Sequence, residues 1–224
     1  MVELVKQKHF FLLGLAGVFS FAGGAGLLLD EVLEGETRVF DTAVLMALRT
    51  PGNPADPLGP PWFEEAARDV TSLGSFTILF AVVAFVAIYL FLQHRPRNAW
   101  FLVLSSLSGT LVSTLLKMAI ARPRPDVTGV TRVFTASFPS GHALASAVVY
   151  LTIGVFVARA ASSRKMAIYS LSCAALLTFI VGLSRIYLGV HYPTDVIAGW
   201  LVGAGWALLC WIIAEKLMQS RRDR

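Results

Sequence analysis

The chain has 224 residues, 56% of them hydrophobic and 15% charged, with a mean hydropathy of +0.68 and a formal net charge of +5. Soluble domains carry about 45–50% apolar residues, so the composition argues against a soluble domain and for a helical membrane protein. The positive balance is dispersed between apolar runs, which speaks against a nucleic-acid partner.

A bilayer core takes about 20 apolar residues per helix, and six stretches meet that length: 9–29, 75–93, 99–121, 142–161, 166–187 and 194–215. The expected fold is all-α, a polytopic bundle of six transmembrane helices forming one domain over 1–224. The first stretch follows Lys6 and Lys8, but its apolar run exceeds the roughly 7–15 residues of a signal-peptide core, so it reads as a retained helix.

Residues 30–74 form the long hydrophilic stretch, and it is acidic, with Asp30, Glu31, Glu34, Glu36 and Asp41 at its start. Val39, Phe40, Ala43, Val44, Ala47 and Leu48 recur at helical spacing. They predict a short amphipathic helix, lying on the membrane surface or packed on the top of the bundle. Pro51 to Pro61 is rich in Pro, Gly and Asn and is expected to be irregular; a second short helix is expected over Trp62 to Val70. The whole segment reads as a flexible cap.

Further along, Lys117 sits near the end of the third stretch, an expensive place for a charge and therefore a functional candidate. Pro123 and Pro125 break the helix and turn Arg124 back over the bundle. Arg122 and Arg132 carry no such constraint and read as facing solvent. Pro139-Ser140-Gly141-His142 opens the fourth helix, where free amides and the helix dipole make an anion site. There Gly141 permits close approach, Ser140 adds a hydroxyl, and His142 holds a proton near neutral pH. Cys173 and Cys210 fall within helices and read as small apolar residues. Arg185 ends the fifth helix, while His191 and Asp195 flank Pro193 at the start of the sixth. Gly199 and Gly203 make a small-residue spacing for close helix packing.

Alternating the helix ends gathers Lys6, Lys8, Arg95, Arg97, Arg159, Arg164, Lys165, Lys216, Arg221, Arg222 and Arg224 on one side. The positive-inside rule makes that side cytoplasmic. Both termini are then inside, and residues 30–74, 122–141 and 188–193 face outward with all the chemical residues.

A histidine attacks phosphorus only through an unprotonated nitrogen, and a carboxylate taking the other ring N–H fixes that tautomer. Asp195 is spaced to do this for His191. Phosphoryl transfer asks for positioning and for positive charge around the phosphoryl oxygens. Lys117, Arg124, Arg185 and the amides near Ser140 and Gly141 offer both, with His142 as acid to the leaving oxygen. His142, His191, Asp195 and Asp126 could be drawn as metal ligands. Three neighbouring cations oppose a divalent ion and no zinc spacing is present, so no metal and no cofactor are expected.

Lys117-x6-Arg124-Pro125, Pro139-Ser140-Gly141-His142 and Ser184-Arg185-x5-His191-x3-Asp195 resemble, without departure, the three motifs of the type 2 phosphatidic acid phosphatase family. The resemblance implies His191 as nucleophile, His142 as acid and Asp195 as the partner of His191. Lys117, Arg124, Ser140, Gly141 and Arg185 would surround the phosphate, and the site would lie on the extracytoplasmic side of the cell membrane. It implies a lipid phosphate or diphosphate substrate such as phosphatidic acid, phosphatidylglycerol phosphate, undecaprenyl diphosphate or lipid A. Two alternatives stay open from the residues: a lipid-to-lipid phosphotransferase, and a non-catalytic binder or transporter of anionic lipid. The physiological lipid and the oligomeric state are not specified by the sequence.

Overall fold

A computed structural model describes residues 2–127 and 135–220, with side chains over 11–127 and 135–216. Arg132, Arg221, Arg222 and Arg224, and the side chains of Lys6 and Lys8, lie outside the described residues. Eight helices account for most of the chain: α1 (Val2–Glu34), α2 (Arg38–Ala47), α3 (Pro61–Ser72), α4 (Phe76–Leu92), α5 (Pro96–Ile120), α6 (Gly141–Ala160), α7 (Arg164–Tyr187) and α8 (Pro193–Ser220).

Local chemistry sets the helix ends. Pro61, Pro96 and Pro193 open α3, α5 and α8, where the missing N–H costs nothing. The Ser75 hydroxyl accepts from the Ile78 amide at 3.3 Å and starts α4, and Ser163 does the same for α7 through Met166. Helix α5 ends at Ile120: Ala121 caps it in a left-handed conformation (φ 47°), and Arg122, the residue before Pro123, is disfavoured from continuing the helix.

Among the described residues, five helices are long and apolar enough to cross a membrane: α1 over Phe11–Glu34, then α5, α6, α7 and α8 over Pro193–Lys216. The second expected span is different. Helix α4 has 17 residues and joins α3 through a 48° bend, and only the bent pair together makes a sixth. The bend falls at Leu73-Gly74-Ser75, where Gly74 lies against Val181 and His142 and a Cβ would overlap Val181 Cγ1. The chain is thus a predominantly helical, multi-pass membrane protein with five candidate spans among the described residues, or six if the bent pair counts as one.

Helix α6 is the axis of the bundle. It packs against α4, α5, α7 and α8, and almost every residue from Gly141 to Tyr150 is buried. Gly199 and Gly203 explain its tightest contact. A Cβ at Gly199 would lie 2.7 Å from the Ser140 carbonyl oxygen, and one at Gly203 2.6 Å from that of Leu144. Only glycine admits that approach, so the small-residue spacing serves packing within the bundle, as expected. Helix α1 lies along α8, with Gly14 and Gly17 against Ile212 and Leu208.

The segment between α1 and α4 is more ordered than its composition suggests. Arg49–Thr50 and Asn53–Pro57 pair as a two-stranded antiparallel hairpin turned at Gly52 (φ 82°), so the run expected to be irregular carries regular pairing. Helix α3 matches the second expected short helix. Helix α2 also forms as expected, but its inward face is Asp41 and Leu45, fully buried, whereas Val39 is 82% and Phe40 52% exposed. Val44 and Leu48 of the apolar set pack beside Leu45, so the helix sits on the bundle through a face that also carries a buried carboxylate, which apolar periodicity does not record.

Candidate active site

The ends of α5 and α7, the starts of α6 and α8, and the segments between them meet at one end of the bundle. Lys117, in the last turn of α5, donates to the carbonyl of Ala136 at 2.6 Å and that of Ser137 at 3.4 Å. The turn through Pro123 and Pro125 brings Arg124 back over this end. Its Nε and NH2 donate to the carbonyl and hydroxyl of Thr135 at 2.9 and 3.0 Å, and NH1 donates to the Val190 carbonyl at 2.7 Å. Arg124 therefore ties the stretch entering α6 to the loop that carries His191.

His191 is 1% exposed. Its Nε2 lies 3.1 Å from Arg124 NH1. A guanidinium donates only, so Nε2 presents its lone pair and the proton resides on Nδ1. That nitrogen is 3.3 Å from Ser137 Oγ and 3.5 Å from Asp195 Oδ2. The direct His191–Asp195 contact is longer than the roughly 2.7–3.2 Å of an N–H···O bond. The Ser137 hydroxyl bridges the two by donating to Asp195 Oδ2, which also accepts from the Tyr192 amide at 2.9 Å. The expected His–Asp pair is therefore a trio. Burial pulls the His191 imidazole down to about 3; Asp195 opposes that pull and the Arg124 charge reinforces it.

Pro139-Ser140 leads into α6 with Ser140 as the residue before its first turn. The Ser140 amide is spent on the Asp195 carbonyl at 2.8 Å, so it is not free for a ligand as expected. The amides of residues 141–143 remain, since the first turn of a helix has no internal acceptors. The Ser140 hydroxyl is buried without a hydrogen-bond partner among the described residues. A Cβ at Gly141 would stand 3.6 Å from Lys117 Cε, which sets the lysine stem beside these amides. Arg185 donates through NH1 to Thr71 Oγ1 at 2.9 Å, and its Nε is buried without a partner among the described residues. His142 packs against Gly74 at the α3–α4 bend and lies close enough to His191, Arg185, Arg124 and Lys117 to feel their charges.

All eight sequence candidates thus gather at one end of the bundle: Lys117, Arg124, Ser140, Gly141, His142, Arg185, His191 and Asp195. Sequence reasoning missed Ser137, three residues before Ser140, and Thr71 in the loop segment. It also misread Arg122. Far from facing solvent, Arg122 bonds Asp195 Oδ1 at 2.7 Å, Thr194 Oγ1 at 2.9 Å and Asp41 Oδ2 at 2.8 Å, and stacks 4.3 Å above the Tyr192 ring. Arg49, 4% exposed, is a further buried guanidinium, with none of its nitrogens hydrogen-bonded among the described residues. A Pro-flanked position gives no hint of a partner 73 residues away, which is why Arg122 escaped. Among the described residues, no three His, Cys, Asp or Glu side chains converge as a metal set.

Comparisons with known proteins give this geometry a family. Residues 98–219, which hold all eight candidates, match the PAP2 superfamily. Phosphatidylglycerophosphatase B of Bacillus subtilis is 30% identical over 72% of this chain and 80% of its own length. An undecaprenyl-diphosphatase of Sulfolobus acidocaldarius is 31% identical over 53% of this chain and 56% of its own. The crystal structure of a transmembrane PAP2-type phosphatidylglycerolphosphate phosphatase from Bacillus subtilis superposes with a TM-score of 0.81 at 26% identity, over 89% of this chain and 96% of that one. A matched domain over more than half the chain, a relative aligned over most of both lengths and a shared helical architecture agree: the chain belongs to the PAP2 superfamily, among its membrane lipid phosphatases.

Proposed function

We propose that this chain hydrolyses the phosphate of a membrane lipid phosphate or diphosphate through a phosphohistidine on His191, without a metal. The observation that carries the reading is the orientation of His191: Nε2 is unprotonated and meets only the Arg124 guanidinium as a hydrogen-bond partner among the described residues, and Nδ1 is held toward Ser137 and Asp195. A nucleophile needs that lone pair available with the opposite ring proton anchored.

The incoming phosphate draws the Arg124 guanidinium off Nε2 and onto its own oxygens, with Lys117, Arg185, the Ser140 hydroxyl and the amides at the start of α6 around it. Such fixed positive charge is the main help a phosphoryl transfer requires. Nε2 attacks phosphorus as the bond from phosphorus to the lipid oxygen breaks, and His142 gives that oxygen a proton. The Nδ1 proton stays within the Ser137–Asp195 pair, which stabilises the cationic ring. Water then attacks the phosphohistidine, His142 takes its proton, the P–N bond breaks, and inorganic phosphate departs.

Phosphatidylglycerol phosphate is the first substrate to test, supported by likeness to Phosphatidylglycerophosphatase B over four fifths of that protein; undecaprenyl diphosphate, phosphatidic acid and lipid A follow. The charged helix ends opposite the site include Arg95, Arg97, Arg159, Arg164 and Lys165, which supports a site on the extracytoplasmic side of the cell membrane, cytoplasmic termini and α2 and α3 at the interface. Head groups would then enter from the lipid side, with the segment 30–74 shaping what fits. His191→Ala in detergent micelles should release no phosphate from any of these lipids. It should also fail to trap labelled phosphate when quenched without acid. Turnover retained in that variant would remove His191 from its role.

A further inference from the structure

We infer that Asp41 and Arg122 are positioning residues that orient Asp195, and through it His191, which makes helix α2 of the first loop a working part of the site. The inference rests on the phosphatase reading above. It is carried by a closed, buried network outside the residues assigned to phosphate or proton transfer. Arg122 spans two carboxylates, with NH1 on Asp195 Oδ1 at 2.7 Å and NH2 on Asp41 Oδ2 at 2.8 Å. Thr194, beside Asp195 at the start of α8, donates its amide to Asp41 Oδ1 at 3.1 Å and its hydroxyl to Asp41 Oδ2 at 2.7 Å. Asp41 and Asp195 are both 0% exposed, and Thr194 is 2%.

The geometry divides the Asp195 carboxylate between two tasks. Oδ1 faces Arg122, while Oδ2 faces Ser137, the Tyr192 amide and His191. With Oδ1 held by the Arg122 guanidinium and Oδ2 by the Ser137 hydroxyl and the Tyr192 amide, the carboxylate is fixed from both sides, so Oδ2 stays beside the histidine. Asp41 holds the far end of that guanidinium and, through Thr194, the first turn of α8. Arg122 also takes up part of the Asp195 charge that would otherwise draw a proton onto His191.

The charged and titratable groups that act on His191 are Asp195 on α8, Arg124 after α5, Arg185 on α7 and His142 on α6, while Arg122, with Asp41 of α2 behind it, reaches the ring through Asp195. Removing Arg122 alone exposes His191 to the full carboxylate, which favours the protonated ring. Removing the Asp41 charge leaves Arg122 on Asp195 and loosens only the tether.

The test compares Arg122→Gln, Asp41→Asn and wild type as full-length chains in detergent micelles. With phosphatidylglycerol phosphate, both variants should lose about tenfold or more in kcat near pH 7, the order expected for a broken buried ionic hydrogen bond, with KM and inhibition by orthovanadate little changed. The Arg122→Gln defect should deepen as pH falls from about 7 to about 5, while that of Asp41→Asn stays level. Arg122→Lys should recover part of kcat, because it restores one ion pair. Histidine-selective 15N spectra, with His191→Gln for assignment, read the same effect without turnover: the His191 ring should begin to protonate in that pH range in Arg122→Gln and not in wild type. Identical titration of His191 in Arg122→Gln and wild type, or a pH-independent defect with KM raised instead of kcat lowered, would overturn the inference and leave the phosphatase reading standing. No phosphate release by wild type from any lipid, with the His191 shift present, would overturn the phosphatase reading and leave the coupling of Arg122 to His191 standing.

Discussion

NH1 of Arg124 sits 3.1 Å from Nε2 of His191, so the group proposed to bind phosphate lies over the atom proposed to attack it. This contact holds the ring in one tautomer and gives Arg124 two successive duties. Arg124→Ala should lower kcat/KM by about 10²–10³, the range for losing one preorganised charge donor. Arg124→Lys should recover little, because a lysine cannot reach Thr135, Val190 and a phosphate oxygen together. Phosphate release measured across substrate concentrations checks both.

Burial sets the charge of His191. With its value near 3, the ring should remain neutral from about pH 7 down to about pH 5 in histidine-selective NMR, where an ordinary imidazole titrates near 6.5. The sign for stability follows. A histidine whose folded value is depressed adds stability that is complete above its unfolded value near 6.5 and is lost as pH falls from there toward the folded value. Thermal unfolding in detergent should therefore weaken over that acid window in wild type, and less in His191→Gln.

Ser137 stands between His191 and Asp195. Ser137→Ala leaves Nδ1 with a carboxylate oxygen 3.5 Å away and should lower kcat by about tenfold, as expected for a lost hydrogen bond to a charged group. Ser137→Thr, which keeps the hydroxyl, should fall less. The rate of phosphoenzyme formation checks both.

The proposed chemistry needs no divalent ion, because Lys117, Arg124 and Arg185 supply the positive charge. Phosphate release should persist undiminished in excess chelator, and added Mg²⁺ or Zn²⁺ should not raise it. Activity lost to chelator and restored by either metal would contradict the proposed chemistry.

Gly203 approaches the Leu144 carbonyl too closely for any side chain. Gly203→Leu should destabilise the bundle by about 1–3 kcal/mol or more, the cost of overpacking a filled interior. The measurement is thermal unfolding in detergent beside an exposed control such as Leu104→Ala.

Much of the site was legible because its chemistry sits at helix ends. Lys117, Arg124, Arg185 and the Ser140-Gly141-His142 start stand where apolar runs stop, and a polar group there calls for a reason. The missed residues share the opposite property. Arg122, Asp41 and Thr194 acquire their meaning from one another across 72 to 153 residues of sequence, and no local periodicity records such a pairing. The second span was also harder to read, since the apolar run matches α4 alone, 17 residues long, and α3, which precedes it across the bend, is too polar to signal a shared span. In α2, counting apolar residues located the helix and its Val44 and Leu48 contacts but could not show that Asp41 is buried beside them.

The contact of Gly199 with the Ser140 carbonyl, together with the Ser140 amide on the Asp195 carbonyl, bolts the first turns of α6 and α8 to each other. His142 rides on one of those turns and Asp195 on the other. A single added methyl at position 199 would wedge them apart and shift His142 relative to Asp195 and the ring it holds, so under the proposed chemistry a lesion that looks like a packing fault would be read out as lost turnover.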